Sequence, residues 1–252
     1  MKLGLFIILM AYSLGLLIAW PAQHAWSLVA PRLTGVLPES FAIAQISGTV
    51  WRGGAQGMQV NQQDIGAVQW HWQPLGLGRG RIAFAVDAQG VGHHVQGQAG
   101  LSWQGWQLVN LDGYVEASKL SELLNWPVLL EGRLLPDGLG ITLGYDDRVR
   151  AAQGGLLWAD AGAGLPRPLP LGDQHLDSFA ESGRWYADIS SGPQAPLQVS
   201  GQIGWRPILY YYLDINLRTQ PGAAPLLTSA LSALGPMQAD GSVGWQQAHP
   251  EF

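Results

Sequence analysis

Short apolar runs, separated by glycines, recur from residue 41 almost to the end of the chain. Apolar and polar residues alternate at 65–72 and 81–87, and a period of two is typical of half-buried strands. Comparable stretches continue this pattern at residues 41–46, 94–103, 107–115, 128–135, 139–145, 148–158, 184–189, 197–205 and 208–217. The chain therefore predicts a mainly β domain over residues 41–252.

Turn and helix signals interrupt the predicted strands. Residues 136–138 (Pro-Asp-Gly) predict a turn, because proline presets φ and glycine accepts a positive φ. Residues 74–80 predict a turn or short loop, and the stretch 161–173, rich in proline and glycine, predicts a loop. Two short helices are predicted, one over 118–125 with Ser118 as N-cap and one over 225–234, which starts at proline and stops before glycine.

We predict that the strands form a strongly curved antiparallel sheet or an incomplete barrel, with the two helices covering its edges or ends. A Gly-x-apolar-x-Trp pattern occurs four times, ending at Trp70, Trp158, Trp205 and Trp245. Two similar halves would explain it, and so would coincidence in a protein rich in glycine and tryptophan. Open sheet edges invite pairing, so a further hypothesis is that partners dock by strand addition.

The N-terminal segment is the strongest local signal. Residues 3–20 carry no charge, and 18 helical residues span about 27 Å, close to the hydrocarbon thickness of a bilayer. We predict an uncleaved transmembrane anchor over residues 1–22, with the N-terminus cytoplasmic because Lys2 precedes the apolar stretch. Residues 23–40 are a connector, where Pro31 and Pro38 limit helix, and 41–252 are periplasmic. The alternative is a cleaved signal peptide, but residues 21–25 offer no clean Ala-x-Ala site.

Charge and cysteine content exclude several classes of function. The net charge is −5, and no run of basic residues follows the N-terminus, so binding to nucleic acid is not expected. Cysteine is absent, which excludes disulfides, thiolate metal sites and a cysteine nucleophile. Charged residues make up only 12% of the chain, as expected for a membrane segment joined to a domain with much uncharged surface.

No catalytic chemistry is visible in the sequence. The zincin, nucleophile-elbow, phosphate-loop and EF-hand patterns are all missing. His93 and His94 are adjacent, and neighbours in a strand point to opposite faces. The Asp146-Asp147 pair is better explained as a solvated loop, and the glycines of 76–80 as a turn. We therefore predict no enzyme and no catalytic, cofactor-binding or metal-binding residue.

The whole chain resembles a known family, most sharply over residues 25–80 and in its second half mainly through the rhythm of glycine and tryptophan. The residues concerned are Ser-Gly-Thr-Val-Trp-Arg-Gly at 47–53, Trp-His-Trp-Gln-Pro at 70–74, and Ala-Trp-Ser-Leu at 25–28 behind the predicted anchor. This arrangement resembles protein N of the type II (general) secretion pathway. The resemblance implies a single-pass protein of the bacterial cell inner membrane, an accessory scaffold or assembly factor in the export of folded proteins across the outer membrane. The implied partners are other type II secretion subunits, with the secretin as one candidate, and inner-membrane lipid through the N-terminal helix.

An alternative function is a periplasmic lipid-groove protein that carries or binds lipid between membranes. It predicts that inward-facing residues line a continuous apolar trough instead of a packed core. An enzyme would instead require carboxylates and histidines to converge in space, which nothing in the sequence predicts.

Overall fold

The described part of the protein folds into one open antiparallel sheet of 13 strands. A computed structural model describes residue 15 and residues 19–33, 40–123, 128–164, 167–206 and 210–248. Neighbouring strands in the sheet are also neighbours in sequence, so every connection is local. The prediction of a mainly β, antiparallel fold is confirmed.

The strands are connected as a continuous meander. Their bounds are β1 (Ala42–Gly48), β2 (Arg52–Val60), β3 (Gln63–Gln73), β4 (Arg81–Gly90), β5 (His93–Ser102), β6 (Gly105–Glu116), β7 (Leu129–Leu143), β8 (Val149–Gly164), β9 (Leu169–Glu181), β10 (Arg184–Ser191), β11 (Leu197–Arg206), β12 (Tyr210–Thr219) and β13 (Ser242–Ala248). The described helices are α1 (Ala22–Leu33), α2 (Ala117–Leu123), α3 (Pro225–Leu234) and a 3-10 helix (Pro74–Arg79).

Most of the predicted membrane anchor, residues 1–22, lies outside the described residues. Among the residues that are described, no helix is both long and apolar enough to cross a bilayer. The division into anchor, connector and periplasmic domain therefore stays a prediction.

The connector contains a helix that its prolines did not predict. Helix α1 runs over 12 residues and includes Pro31 in its last turn, two residues before the helix ends, so the backbone hydrogen bond that proline cannot donate is lost near the C-terminus of the helix. The helix lies against β1, with the rings of Trp26 and Phe41 6.2 Å apart. The structure thus contains three short α-helices in its described part, where the sequence predicted two.

A compact buried cluster lies at one end of the sheet. Leu227 and Leu231 of α3 pack on Leu197, Leu217 and Val243. Burying a leucine or valine side chain contributes about 1.5–3 kcal/mol, so this contact holds α3 on β11, β12 and β13. Helix α3 has the predicted bounds, because Pro225 suits its first turn and Gly235 follows its last residue.

The predicted turn at residues 136–138 is wrong. Strand β7 runs through these residues, and its register against β8 shifts between Asp137 and Gly140. Gly138 has a φ of +58°, and its N–H donates to the Asp112 carboxylate at 3.0 Å. The extra residue is accommodated as a β-bulge, which uses the same residue types as a turn but keeps the chain direction.

Two further assignments also need correction. Residues 161–173, predicted as a loop, form the end of β8 and the start of β9, with residues 165 and 166 outside the described part. Their glycines and prolines lie where the β8–β9 register shifts, and irregular positions of this kind tolerate both residues. Strand β2 was missed, because three glycines in nine residues obscure its alternation.

The repeated Gly-x-apolar-x-Trp pattern has a common geometry. Its glycines, Gly66, Gly154, Gly201 and Gly241, have φ values of +83°, +80°, +139° and +81°. Each tryptophan four residues later lies in a strand opposite an apolar residue: Val86, Leu134, Trp185 and Ile215, respectively. The pattern therefore encodes a glycine-dependent backbone irregularity followed by an aromatic side chain. That the chain consists of two similar halves stays a prediction.

Gly66 provides a test of this geometry. Replacement by alanine should destabilise the fold by about 1 kcal/mol or more, because the positive φ disfavours a side chain. The new methyl group would also meet the Gln89 carbonyl. Urea unfolding of the full-length chain, followed by circular dichroism, measures the effect.

Gly78→Ala is the matched control, since a methyl group there meets no atom within 4 Å. Equal unfolding midpoints for the two variants would contradict the assignment.

Candidate functional site

The two faces of the sheet differ in chemistry. Directly opposed residues of antiparallel strands share a face, so the strand registers sort side chains into transverse rows. Two rows are almost purely apolar: Ile82, Leu101, Trp106 and Leu143 across β4–β7, and Trp185, Trp205 and Tyr211 across β10–β12. We call the side that carries these rows the apolar face.

The opposite side, the polar face, carries rows of amides and carboxylates. One row consists of Gln69, Asp87, Gln96 and Asp112 across β3–β6. A second row consists of Asp177, Asp188, Gln202, Asp214 and Gln246 across β9–β13. Alternating amides between the acids separates most like charges, which destabilise a sheet when they are directly opposed.

Side-chain hydrogen bonds connect neighbouring strands along the second row. The Gln202 amide donates to Asp188 at 3.0 Å, and the Gln246 amide donates to Asp214 at 3.1 Å. The Tyr212 hydroxyl donates to the same Asp214 carboxylate at 3.2 Å. Partial desolvation raises the pKa of the Tyr212 phenol, and the negative charge of Asp214 raises it further. Tyr212 therefore remains a protonated donor at neutral pH.

The first row lies in an open cleft of about 1140 Å³ on the polar face of β1–β6. Besides this row, Arg52 and His71 line the cleft. Gln69, Gln96, His71 and Arg52 are exposed. Amide, carboxylate, imidazole and guanidinium groups are all well solvated, so this cleft faces water without an energetic penalty.

A second cleft, of about 300 Å³, lies on the apolar face. Its lining comes from two separate parts of the sheet, which must bend to bring them together. The residues are Leu108, Leu111, Leu139, Gly140 and Ile141 from β6 and β7, and Trp185 and Trp205 from β10 and β11. The volume is at the lower end of the range for ligand pockets, about 300–1,000 Å³.

Among the described residues, few large side chains of the apolar face away from α3 are buried. The five-residue cluster beneath α3 is the one large group of buried apolar side chains in the described part of the chain. Elsewhere apolar-face residues such as Trp205, Tyr211, Trp245 and Leu108 are exposed by more than a third. The apolar face is thus largely a surface and not the interior of a packed core.

The last strand is a free edge. In the described structure β13 pairs with β12 on one side and with no strand on the other. Helix α3 packs on Val243 near its start, whereas residues 244–248 are exposed. The strand, Ser-Val-Gly-Trp-Gln-Gln-Ala, contains neither a charge nor a proline.

The residues that the sequence singled out are not brought together. His94 lies 3.4 Å from Asp87, while His93 is its neighbour in the strand and points to the other face. Asp146 pairs with Arg150 at 2.7 Å and with Arg148 at 3.9 Å. Within the described residues, no three His, Asp or Glu side chains are grouped as a metal site would require.

The glycine-rich stretch at 74–80 is a 3-10 helix, more regular than the predicted turn or loop. Gly80 closes it in the left-handed conformation, with its N–H bonded to the Leu77 carbonyl at 3.0 Å. Leu75 and Leu77 project from this helix into solvent, with 89% and 54% of their surface exposed. Nothing in its geometry forms a phosphate cradle.

The transverse rows were missed from the sequence. Each row takes a single residue from each strand that it crosses, so neighbouring members of a row are 5 to 37 positions apart in the chain. Alternation assigns each residue to a face, but only the register aligns residues across strands. The available signal was the recurrence of Gln and Asp at outward positions of successive strands.

A comparison with protein families finds one that covers most of the chain. The family model described as "Type II secretion system (T2SS), protein N" matches residues 39–246. No curated protein and no solved structure matches this sequence.

Proposed function

This chain belongs to the type II secretion system protein N family, and we propose that it acts as a scaffold or assembly factor of that machine. Membership supports an accessory role in type II secretion, in association with the other components of the system in the cell envelope. The family is a secretion accessory family, which agrees with the expectation that the chain is not an enzyme. The specific proposal is that the chain docks a secretion subunit by strand addition to β13.

The observation that carries this proposal is the unprotected edge of β13. Natural edge strands are usually blunted by charged residues, prolines or coverage. Residues 244–248 contain neither a charge nor a proline, and they are exposed in the described part of the structure. Five residues present about 17 Å of strand, enough for a short extended segment to pair through its backbone.

The partner segment would need a matching pattern. Trp245 and Gln247 lie on the apolar face, and Gln246 lies on the polar face beside Asp214. An added strand continues both faces, so it should place apolar residues beside Trp245 and polar ones beside Gln246. We expect this chemistry in an extended segment of another type II secretion subunit, in which apolar and polar residues alternate. The secretin is one candidate.

The opposite edge is less available. Helix α1 lies beside β1, and the Val50 N–H donates to the Trp20 carbonyl at 3.0 Å. Pro21 and Thr49 form a further bridge. The incoming chain therefore occupies space at the Thr49 end of β1, which makes this part of the edge less available than residues 244–248 of β13.

The proposed topology follows the sequence prediction. A single helix in residues 1–22 holds the chain in the inner membrane with its N-terminus in the cytoplasm, residues 23–40 connect, and residues 41–252 act in the periplasm. Strand addition at β13 would then take place within reach of the inner membrane.

Site-specific photocrosslinking in intact secreting cells tests the docking edge. A photoreactive phenylalanine analogue replaces Trp245 at the edge, and mass spectrometry identifies what it captures. We expect capture of a type II secretion subunit, because Trp245 would lie directly beside the added strand.

The same replacement at Trp185 is the control, since this tryptophan lies on the same face but in the central strand β10. Capture of the same subunit with equal yield from both positions would contradict strand addition at β13. So would the absence of any secretion subunit from the Trp245 sample.

A second candidate function is supported by the apolar cleft. A cleft lined by leucine, isoleucine and tryptophan offers nothing to a polar ligand, but buries an acyl chain favourably. The exposed apolar face around it fits the trough that a lipid-groove protein requires. In this second proposal the protein binds or carries lipid between membranes, with the acyl chain between Leu139 and Trp205.

Leu139→Gln tests lipid binding, because it places an amide in the cleft wall. In membranes containing a phospholipid with a photoactivatable acyl chain, the wild-type chain should be labelled and this variant should lose most of the labelling. Leu135→Gln is the matched control, since Leu135 is a half-buried residue of β7 that does not line the cleft. Absence of labelling in the wild type, or equal loss in both variants, would exclude the cleft as a lipid site.

A further inference from the structure

One end of the sheet carries an exposed aromatic rim. The rim consists of five side chains. Four come from the connections β3–β4, β5–β6 and β7–β8, and the fifth comes from the start of β6. Their exposed fractions are 89% for Leu75, 54% for Leu77, 79% for Trp103, 60% for Trp106 and 61% for Tyr145. Trp103, Tyr145 and Trp106 are the three most exposed large aromatic side chains of the described structure.

The rim is continuous across the connections. The connections β3–β4, β5–β6 and β7–β8 leave the same end of an antiparallel meander. A methyl group on Gly80 would lie 3.8 Å from the Trp103 ring, so the 3-10 helix and the β5–β6 turn are neighbours. The Tyr145 hydroxyl donates to the Ser102 carbonyl at 2.8 Å. These contacts join the five side chains into one patch.

The N-terminal apolar segment of the chain joins the domain at this same end of the sheet. The Trp20 carbonyl accepts a hydrogen bond from Val50 in the β1–β2 connection, and the adjacent Trp51 packs on Trp72 with ring centroids 4.9 Å apart. Trp72 lies two residues before the 3-10 helix. Residues 3–20, which carry no charge, therefore end beside the rim.

The charge at this end is opposite in sign to that of the whole chain. The connections β1–β2, β3–β4, β5–β6 and β7–β8, taken with the two residues on either side of each, contain five arginines and two carboxylates. These residues are Arg52, Arg79, Arg81, Arg148, Arg150, Asp146 and Asp147. The local net charge is +3, whereas the chain carries −5. Arginine attracts anionic headgroups, and Trp and Tyr settle at the headgroup level of a bilayer.

We propose that this aromatic rim is a membrane-contacting surface that rests on a phospholipid bilayer with anionic lipids. Leu75 and Leu77 enter the interface, Trp103, Trp106 and Tyr145 lie at the headgroup level, and the arginines pair with phosphates. The strands then rise away from the bilayer, so that the loop at Val91 is at the far end. This orientation is independent of strand addition at β13 and of the lipid cleft.

Fluorescence in vesicles tests the orientation with the full-length chain. The chain has no cysteine, so Leu77→Cys places a single environment-sensitive fluorophore on the rim. In vesicles of phosphatidylethanolamine and phosphatidylglycerol, its emission should shift to the blue. Lipids that carry a quencher near the headgroup should also reduce its intensity.

Val91→Cys is the matched control, because Val91 is a comparably exposed apolar residue, at 75%, in the connection at the opposite end. Its label should show neither the shift nor the quenching. Gln104→Cys, next to Trp103, provides a second rim position and should behave as Leu77→Cys does.

Three results would overturn the proposal. The first is equal quenching at Leu77 and Val91, and the second is the absence of quenching at both rim positions. The third is a rim label that stays unquenched in vesicles but is protected in cells, which would assign the rim to a protein partner.

Discussion

The backbone hydrogen-bond ladder is the interaction on which the whole structure depends. In the described structure each strand pairs with the strands before and after it in sequence, so the ladder runs unbroken from β1 to β13. In the part of the chain that the structure describes, a packed core contributes at one place, where Leu227 and Leu231 of α3 meet three residues of the sheet. Because side chains alternate along every strand, the ladder also produces two continuous faces of different chemistry.

Two faces and an open edge leave much of this protein's surface available for contact. A closed barrel or a sandwich buries its apolar face and has few free edges, whereas here many apolar side chains remain partly exposed. We propose that a partner strand adds to β13 and that the aromatic rim contacts the bilayer. In the second candidate function, the apolar cleft binds an acyl chain. Each of these contacts uses a part of the sheet that is exposed in the described structure.

The sequence predicted well those elements that depend on a few neighbouring residues. Pro225 and Gly235 defined α3, and the alternation at 65–72 and 81–87 identified β3 and β4. The sequence failed where one residue type serves two geometries, as at Pro136 and Gly138, which form a bulge instead of a turn. The polar rows and both clefts depend on the register between strands, which cannot be read from the sequence of any single strand.

Side chains along each strand should point alternately to the polar face and to the apolar face, and cysteine accessibility along β3 measures this alternation. Single cysteines at Val68, Gln69, Trp70 and His71, in a chain that has no native cysteine, would be reacted in native membranes with a water-soluble maleimide. We predict fast reaction at positions 69 and 71, which are exposed on the polar face, and slow reaction at positions 68 and 70, which are half-buried on the apolar face. Equal rates at all four positions, or fast reaction at 68 and 70, would contradict it.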